Sequence, residues 1–307
     1  MSFERLGSLD AYLETLDRAT RSALAKAAAD PSVLTYQAGI QLSSEPDSIS
    51  TREGLFALAA AAVMGGEPGK ALPVATMSAL WWTGMRFSIL DATRLAQHHL
   101  QKTLAPADRK LLWANDVSDC AISAGRAARS MSRRHFTEIS RQNVLSDLMG
   151  SFGAAYSRDA VMTARLFAPQ AIEHWRRYGL FHGLLRKLTL DEKSSTVVDT
   201  SAAELIVPDL LVAHAFAHVR PPIRVALARL RAGVVLNRDL QGALRGHLRS
   251  PVITRAYHAD LRSMHRRACL MLADIDPGTQ FGHVLRSELD LVVLNAGAAD
   301  GRGAAER

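Results

Sequence analysis

Residues 175–194, WRRYGLFHGLLRKLTLDEKS, constrain this chain more than any other stretch. Leu180, Gly183, Leu184, Leu185 and Leu188 recur at intervals of three and four, which lays one apolar, glycine-notched face along a helix. Such a face has to be buried, and a glycine in it lets a neighbouring helix approach closely. The segment closes on an acidic pair, Asp191 and Glu192, with Arg186 and Lys187 one turn earlier.

The rest of the chain follows the same period. Alanine, leucine and arginine are abundant, β-branched residues rarely alternate with polar ones, and the Asp-Gly hairpin signal occurs only at Asp300-Gly301. The fold class is therefore all-α. With 307 residues, 48% hydrophobic and 22% charged, the chain is long enough for a substantial core and too apolar for wholesale disorder.

Helices are expected from Leu6 to Asp30, from Glu53 to Met64 with a Gly65-Gly66 stop, and as one long helix over 71–104. Others are expected over 108–132, 136–150, 154–166, 169–190, 201–218, 221–232, 235–246, 252–273 and 279–294. Residues 31–50 read as a loop. Short connections and the absence of a fixed-period repeat point to one domain over 1–295, with a flexible tail over 296–307.

The net charge of +7 comes from scattered arginines, which suits a solvated surface or an anionic partner. Basic residues are not interleaved with aromatics as in single-strand binders, so nucleic acid is not an expected partner. The opening residues carry charge where a signal peptide has its apolar core, and the alanine-rich run 55–66 is too short to span a bilayer. A cytoplasmic protein without a transmembrane segment is expected. Cys120 and Cys269 read as buried small groups. P-loop, dinucleotide-fold and nucleophile-elbow motifs do not occur.

Three segments taken in order, GLFALAAAAVMGGEPGKALPVATMSALWW, LLWANDVSDCAIS and WRRYGLFHGLLRKLTLDE, resemble the trans-isoprenyl diphosphate synthases (polyprenyl synthetases) and the related class I terpene synthases. GLFALAAAAVMGGEPGKALPVATMSALWW resembles the family's helix, Gly-Gly turn and following Ala-rich helix. LLWANDVSDCAIS resembles the family's AILxGDxLL helix, with Asn115 and Asp116 at the Gly-Asp position. WRRYGLFHGLLRKLTLDE resembles fGxxlGxxxQlxxDDxxD, with Gly179 and Gly183 in place and Lys187 where glutamine is usual.

The resemblance implies a class I isoprenoid synthase-like helical barrel in which two Asp-rich motifs hold Mg²⁺ against a diphosphate. Hard divalent ions bridged by carboxylates neutralise the leaving group as the allylic C–O bond breaks. This sequence departs from that pattern. The first motif falls on FSILD, residues 87–91, and keeps only Asp91, late in the expected long helix. The second falls on LDEKS, residues 190–194, and keeps Asp191 with Glu192 beside it. The GKRLRP element has no match. The expected metal ligands are thus Asp91, Asp191 and Glu192, facing each other across the mouth if the barrel forms.

By the same resemblance, Arg86, Arg94, Arg186 and Lys187 are expected to bind diphosphate. Trp82, Met85 and Phe87 are expected to line a prenyl cavity, although core packing explains them equally well. No catalytic residue is assigned. Asn115, Asp116 and Asp119 have NDxxD spacing but stand at a core-supporting position in the resembling helix. His214 and His218 share a helix face without a third ligand.

The leading expectation is an isoprenoid-biosynthesis protein with an eroded Mg²⁺–diphosphate clamp. It would act as a partner subunit or as a weak or altered handler of prenyl diphosphates, in a homodimer or in a heterodimer with a complete prenyl synthase. The alternatives are an active terpene cyclase or prenyltransferase with an unusual metal set, and a non-enzymatic helical scaffold.

Overall fold

A computed structural model describes residues 9–30, 32–34, 51–104, 107–133, 139–197, 199, 202, 204–276 and 278–305. All regular elements among them are helical: α1 Leu9–Ala28, α2 Thr51–Val63, α3 Pro68–Met85, α4 Ile89–Thr103, α5 Ala107–Arg133, α6 Arg141–Leu148, α7 Ala154–Phe167, α8 Ile172–Ser194, α9 Asp209–His218, α10 Pro221–Arg231, α11 Arg238–Leu248, α12 Pro251–Ile275 and α13 Gln280–Ala305. A π-helical turn, Met149–Gly153, joins α6 to α7, and a 3₁₀ turn, Pro169–Ala171, precedes α8. The all-α class is as expected. Leu6, most of the loop over 31–50 and the first residues of the helix expected over 136–150 lie outside the described residues.

Three boundaries differ from expectation. The long helix over 71–104 is two helices that turn at residues 86–88. Ser88 has extended backbone and its hydroxyl accepts from the Asp91 amide, which starts α4 afresh. The helix expected over 201–218 begins only at Asp209, because Pro208 sits just ahead of it and has no amide to place inside a helix. At the other end, α13 runs to Ala305, through most of the segment read as a tail.

The chain divides into two compact units. The first comprises Met1–Gly125, Ala154–Leu180 and Met271–Leu285. Here α3 and α4 form an antiparallel helical hairpin. Gly84 lies so close to Ala92 that an added Cβ would meet the Ala92 backbone at 2.5 Å, and farther from the turn the His99 imidazole Nε2 donates to the Pro73 carbonyl at 3.1 Å. Burial holds His99 far below the ordinary imidazole range, at about 4, so it packs neutral. Helix α2 stops as its glycines predict. Gly65 takes a positive φ of 71°, and the amides of Gly65 and Gly66 reach back to the carbonyls of Ala62 and Ala61.

The core of this unit contains a charged group. Arg158 and Asp159 on α7 are both buried and bond through Nε to Oδ1 at 2.8 Å. The Ser78 hydroxyl donates to Asp159 Oδ2 at 2.5 Å, and the Arg158 guanidinium lies 4.7 Å from the Trp81 ring centre. Beside it, the Cys120 thiol is pushed up to about 11, mainly by burial.

The second unit comprises Arg126–Gly153, Phe181–Leu270 and Arg286–Arg307. Its helices α9, α10 and α11 are joined by short turns, and the irregular segment before α9 is pinned by arginines. Arg245 donates to the Ala202 carbonyl at 3.1 Å and Arg249 to that of Val197 at 3.1 Å. Asp260 of α12 accepts from Arg141 at 2.9 Å and lies 2.9 Å from His214 Nε2.

Candidate functional site

The acidic end of α8 lies in the second unit. The apolar stripe leading to it is buried as its period predicts, with Leu184, Leu185 and Leu188 at 1% exposure or less. Asp191 and Glu192 are consecutive, so their side chains leave the helix about 100° apart and meet different neighbours. One turn back, Lys187 donates through Nζ to Asp191 Oδ1, and the same ammonium lies 5.4 Å from the Phe152 ring centre. Glu192 accepts from the Tyr257 hydroxyl of α12.

Burial sets the electrostatics of this end. It raises the Asp191 carboxyl above its ordinary range, against the lowering effect of Lys187. Glu192 is raised by burial too, against the hydrogen bond from Tyr257, and the Tyr257 phenol is driven well above its usual value by its own burial and by Glu192. The second oxygen of Asp191, Oδ2, is buried without a hydrogen-bond partner. Arg186 is buried, whereas Lys187 is only half-buried.

The first unit holds the other expected residues. Asp91 stands in the first turn of α4, not late in a helix. It is 1% exposed, and its carboxylate accepts from the Ser88 hydroxyl at 2.6 Å. Arg86 and Arg94 are exposed. Trp82 is buried beside Tyr156, at 6.0 Å between ring centres, and Phe87 packs against the cluster formed by Leu24, Ala27, Val33, Leu34, Leu80 and Leu95. Met85 is half-buried.

Asp116 forms an ion pair with Arg165 of α7, and Asp119 is exposed, so the NDxxD spacing gathers no ligands. His218 is exposed, while His214 turns to Asp260. Sequence reasoning passed over Tyr257, which no spacing ties to Glu192, 65 residues away. It also passed over the adjacent Arg158 and Asp159, whose burial within α7 would have required two charges on one turn to be read as core. Among the described residues, the His, Cys, Asp and Glu side chains that converge as a group of three within 4.8 Å are His265, Cys269 and Asp290.

No protein-family model matches the chain, and no curated protein matches it in sequence. Solved structures do match. A polyprenyl synthetase from Streptomyces coelicolor A3(2) superposes with a TM-score of 0.71 at 14% identity, covering 93% of this chain and 100% of its own. A geranylgeranyl pyrophosphate synthetase from the archaeon Geoglobus acetivorans gives 0.70 at 14% identity, covering 92% of this chain and 97% of its own. A decaprenyl diphosphate synthase from Rhodobacter capsulatus gives 0.69 at 11% identity, covering 92% of this chain and 99% of its own. The fold of this chain is that of the trans-isoprenyl diphosphate synthases.

Proposed function

We propose that this protein belongs to isoprenoid biosynthesis as a synthase-fold subunit that has given up the Mg²⁺–diphosphate clamp and serves as a partner to a complete prenyl synthase. One observation carries the reading. Each carboxylate that the family pattern leaves in place already has a donor from its own chain: Ser88 for Asp91, Lys187 for Asp191 and Tyr257 for Glu192. A clamp on Mg²⁺ needs several unencumbered oxygens in near-octahedral array. Burial raises the Asp191 and Glu192 carboxyls, which suits a hydrogen-bonded core. These donors, one to each carboxylate, support the reading of an incomplete clamp.

The test is pyrophosphate release from geranyl, farnesyl and geranylgeranyl diphosphates with Mg²⁺. None is expected from the purified protein alone, whereas addition to a complete synthase is expected to form a heterodimer with altered product length. Release by the protein alone overturns the reading.

That outcome would favour a second reading, an active cyclase or prenyltransferase with a reduced metal set, which rests on Asp191 Oδ2. This oxygen has no hydrogen-bond partner and is one position at which an ion could be held with a substrate diphosphate. Under that reading Asp191→Ala abolishes the release.

A further inference from the structure

In the second unit, away from the acidic end of α8, three side chains of different chemistry converge. His265 and Cys269 are one turn apart on α12, and Asp290 comes from α13. The His265 Nε2 atom is 2.7 Å from Asp290 Oδ1 and 3.4 Å from Cys269 Sγ. The thiol and the carboxylate thus address the same ring nitrogen. A nucleophile relay requires the acid on one nitrogen and the thiol on the other, so this arrangement is not a Cys-His-Asp triad.

The three ligand atoms lie within 4.8 Å of one another, close enough to share one ion. A tetrahedral Zn²⁺ with one nitrogen, one sulfur and one oxygen ligand has ligand-to-ligand edges of roughly 3.4–3.6 Å, from its bond lengths. The His265–Cys269 edge already has that length, and the His265–Asp290 edge needs to open by less than about 1 Å. We propose that His265, Cys269 and Asp290 form a Zn²⁺ site that staples α12 to α13. Mixed nitrogen, sulfur and oxygen donors suit a borderline-soft ion, whereas Mg²⁺ and Ca²⁺ take oxygen alone. Cys269 is buried and the Asp290 side chain is 44% exposed, which leaves the fourth position on the solvent side for water or an added ligand. On binding, the Cys269 thiol releases its proton to solvent. Arg286, 3.6 Å from Asp290 Oδ1, competes with the ion for that carboxylate.

The test titrates the full chain, stripped with chelator, with Co²⁺ as a spectroscopic stand-in for Zn²⁺. One equivalent is expected to produce thiolate-to-cobalt charge-transfer absorption and tetrahedral ligand-field bands, both erased by Zn²⁺. Cys269→Ser removes the charge-transfer band and Cys120→Ser keeps it. Asp290→Asn, at a half-exposed position that tolerates the change, weakens binding by more than the roughly 10–100-fold that loss of an outer-shell partner costs. Arg286→Gln strengthens it about two- to fivefold. Absence of the band in the wild-type protein, its survival in Cys269→Ser, or unchanged affinity in Asp290→Asn overturns the proposal. Pyrophosphate release has no part in this test, so its outcome is independent of the function proposed above.

Discussion

The Ser88 hydroxyl donates to the Asp91 carboxylate at 2.6 Å and accepts from the Asp91 amide at 3.0 Å. The carboxylate thereby sits in the first turn of α4, where the partial positive charge of the helix start favours it. As a cap, the pair is a stability element. Ser88→Ala is expected to destabilise the protein by about 1 kcal/mol. Adding Asp91→Ala is expected to cost less than the sum of the single changes, because the two groups share one bond. Urea unfolding of the two single variants and the double variant measures this, and strict additivity would contradict the side-chain bond between them.

Tyr257 and Glu192 make stability depend on pH. The folded Glu192 carboxyl titrates above its ordinary 4.5, so its favourable contribution is complete below that value and is lost as pH rises through the folded value. Tyr257→Phe removes the donor that favours the ionised form. The folded value then moves higher still, and the decline deepens and extends toward neutral pH. The variant is expected to lose about 1–3 kcal/mol once Glu192 is ionised and less in acid. Glu192→Gln flattens this component, and unfolding free energies measured from pH 4 to 8, a span set by the ordinary carboxyl range, distinguish the three proteins.

The buried pair Arg158 and Asp159 is expected to respond asymmetrically. Asp159→Ala strands the guanidinium under Trp81 and leaves the Ser78 hydroxyl without its acceptor, at a cost of about 3–5 kcal/mol. Replacing both charges together, Arg158→Met with Asp159→Leu, is expected to cost much less, since no uncompensated charge remains. Denaturant midpoints of the single and double variants decide it.

Gly179 and Gly125 offer a matched pair. A Cβ at Gly179 would stand 2.6 Å from the Tyr156 carbonyl oxygen and 2.9 Å from the Ala160 Cβ, whereas one at Gly125 meets nothing within 4 Å. Gly179→Ala is expected to cost about 1–3 kcal/mol through overpacking. Gly125→Ala, inside α5, is expected to gain about 0.8–1 kcal/mol from helix propensity. Thermal melts of both give opposite signs.

Much of the fold was legible because helical periodicity is local. The stripe through Leu184, Leu185 and Leu188 and the glycine stop at Gly65 both follow from residues a few positions apart. The turn at residues 86–88 was missed because its apolar period runs on through Phe87, while the signal that breaks it is one hydroxyl, at Ser88. The acidic end of α8 was readable as a place but not as a set of contacts. What occupies Asp191 is its own Lys187, visible at i,i+4, but what occupies Glu192 comes from Tyr257 on a distant helix. Long-range pairings of that kind leave no trace in spacing.

The α3–α4 hairpin also bears on how the chain folds in time. Only residues 86–88 separate its two helices, so joining them closes a short loop at small entropic cost. Contacts so local are expected to form before the rate-limiting barrier. Gly84→Ala, which wedges the hairpin at Ala92, should therefore slow refolding while leaving the unfolding rate nearly unchanged. On a chevron plot the folding arm would drop and the unfolding arm would stay in place.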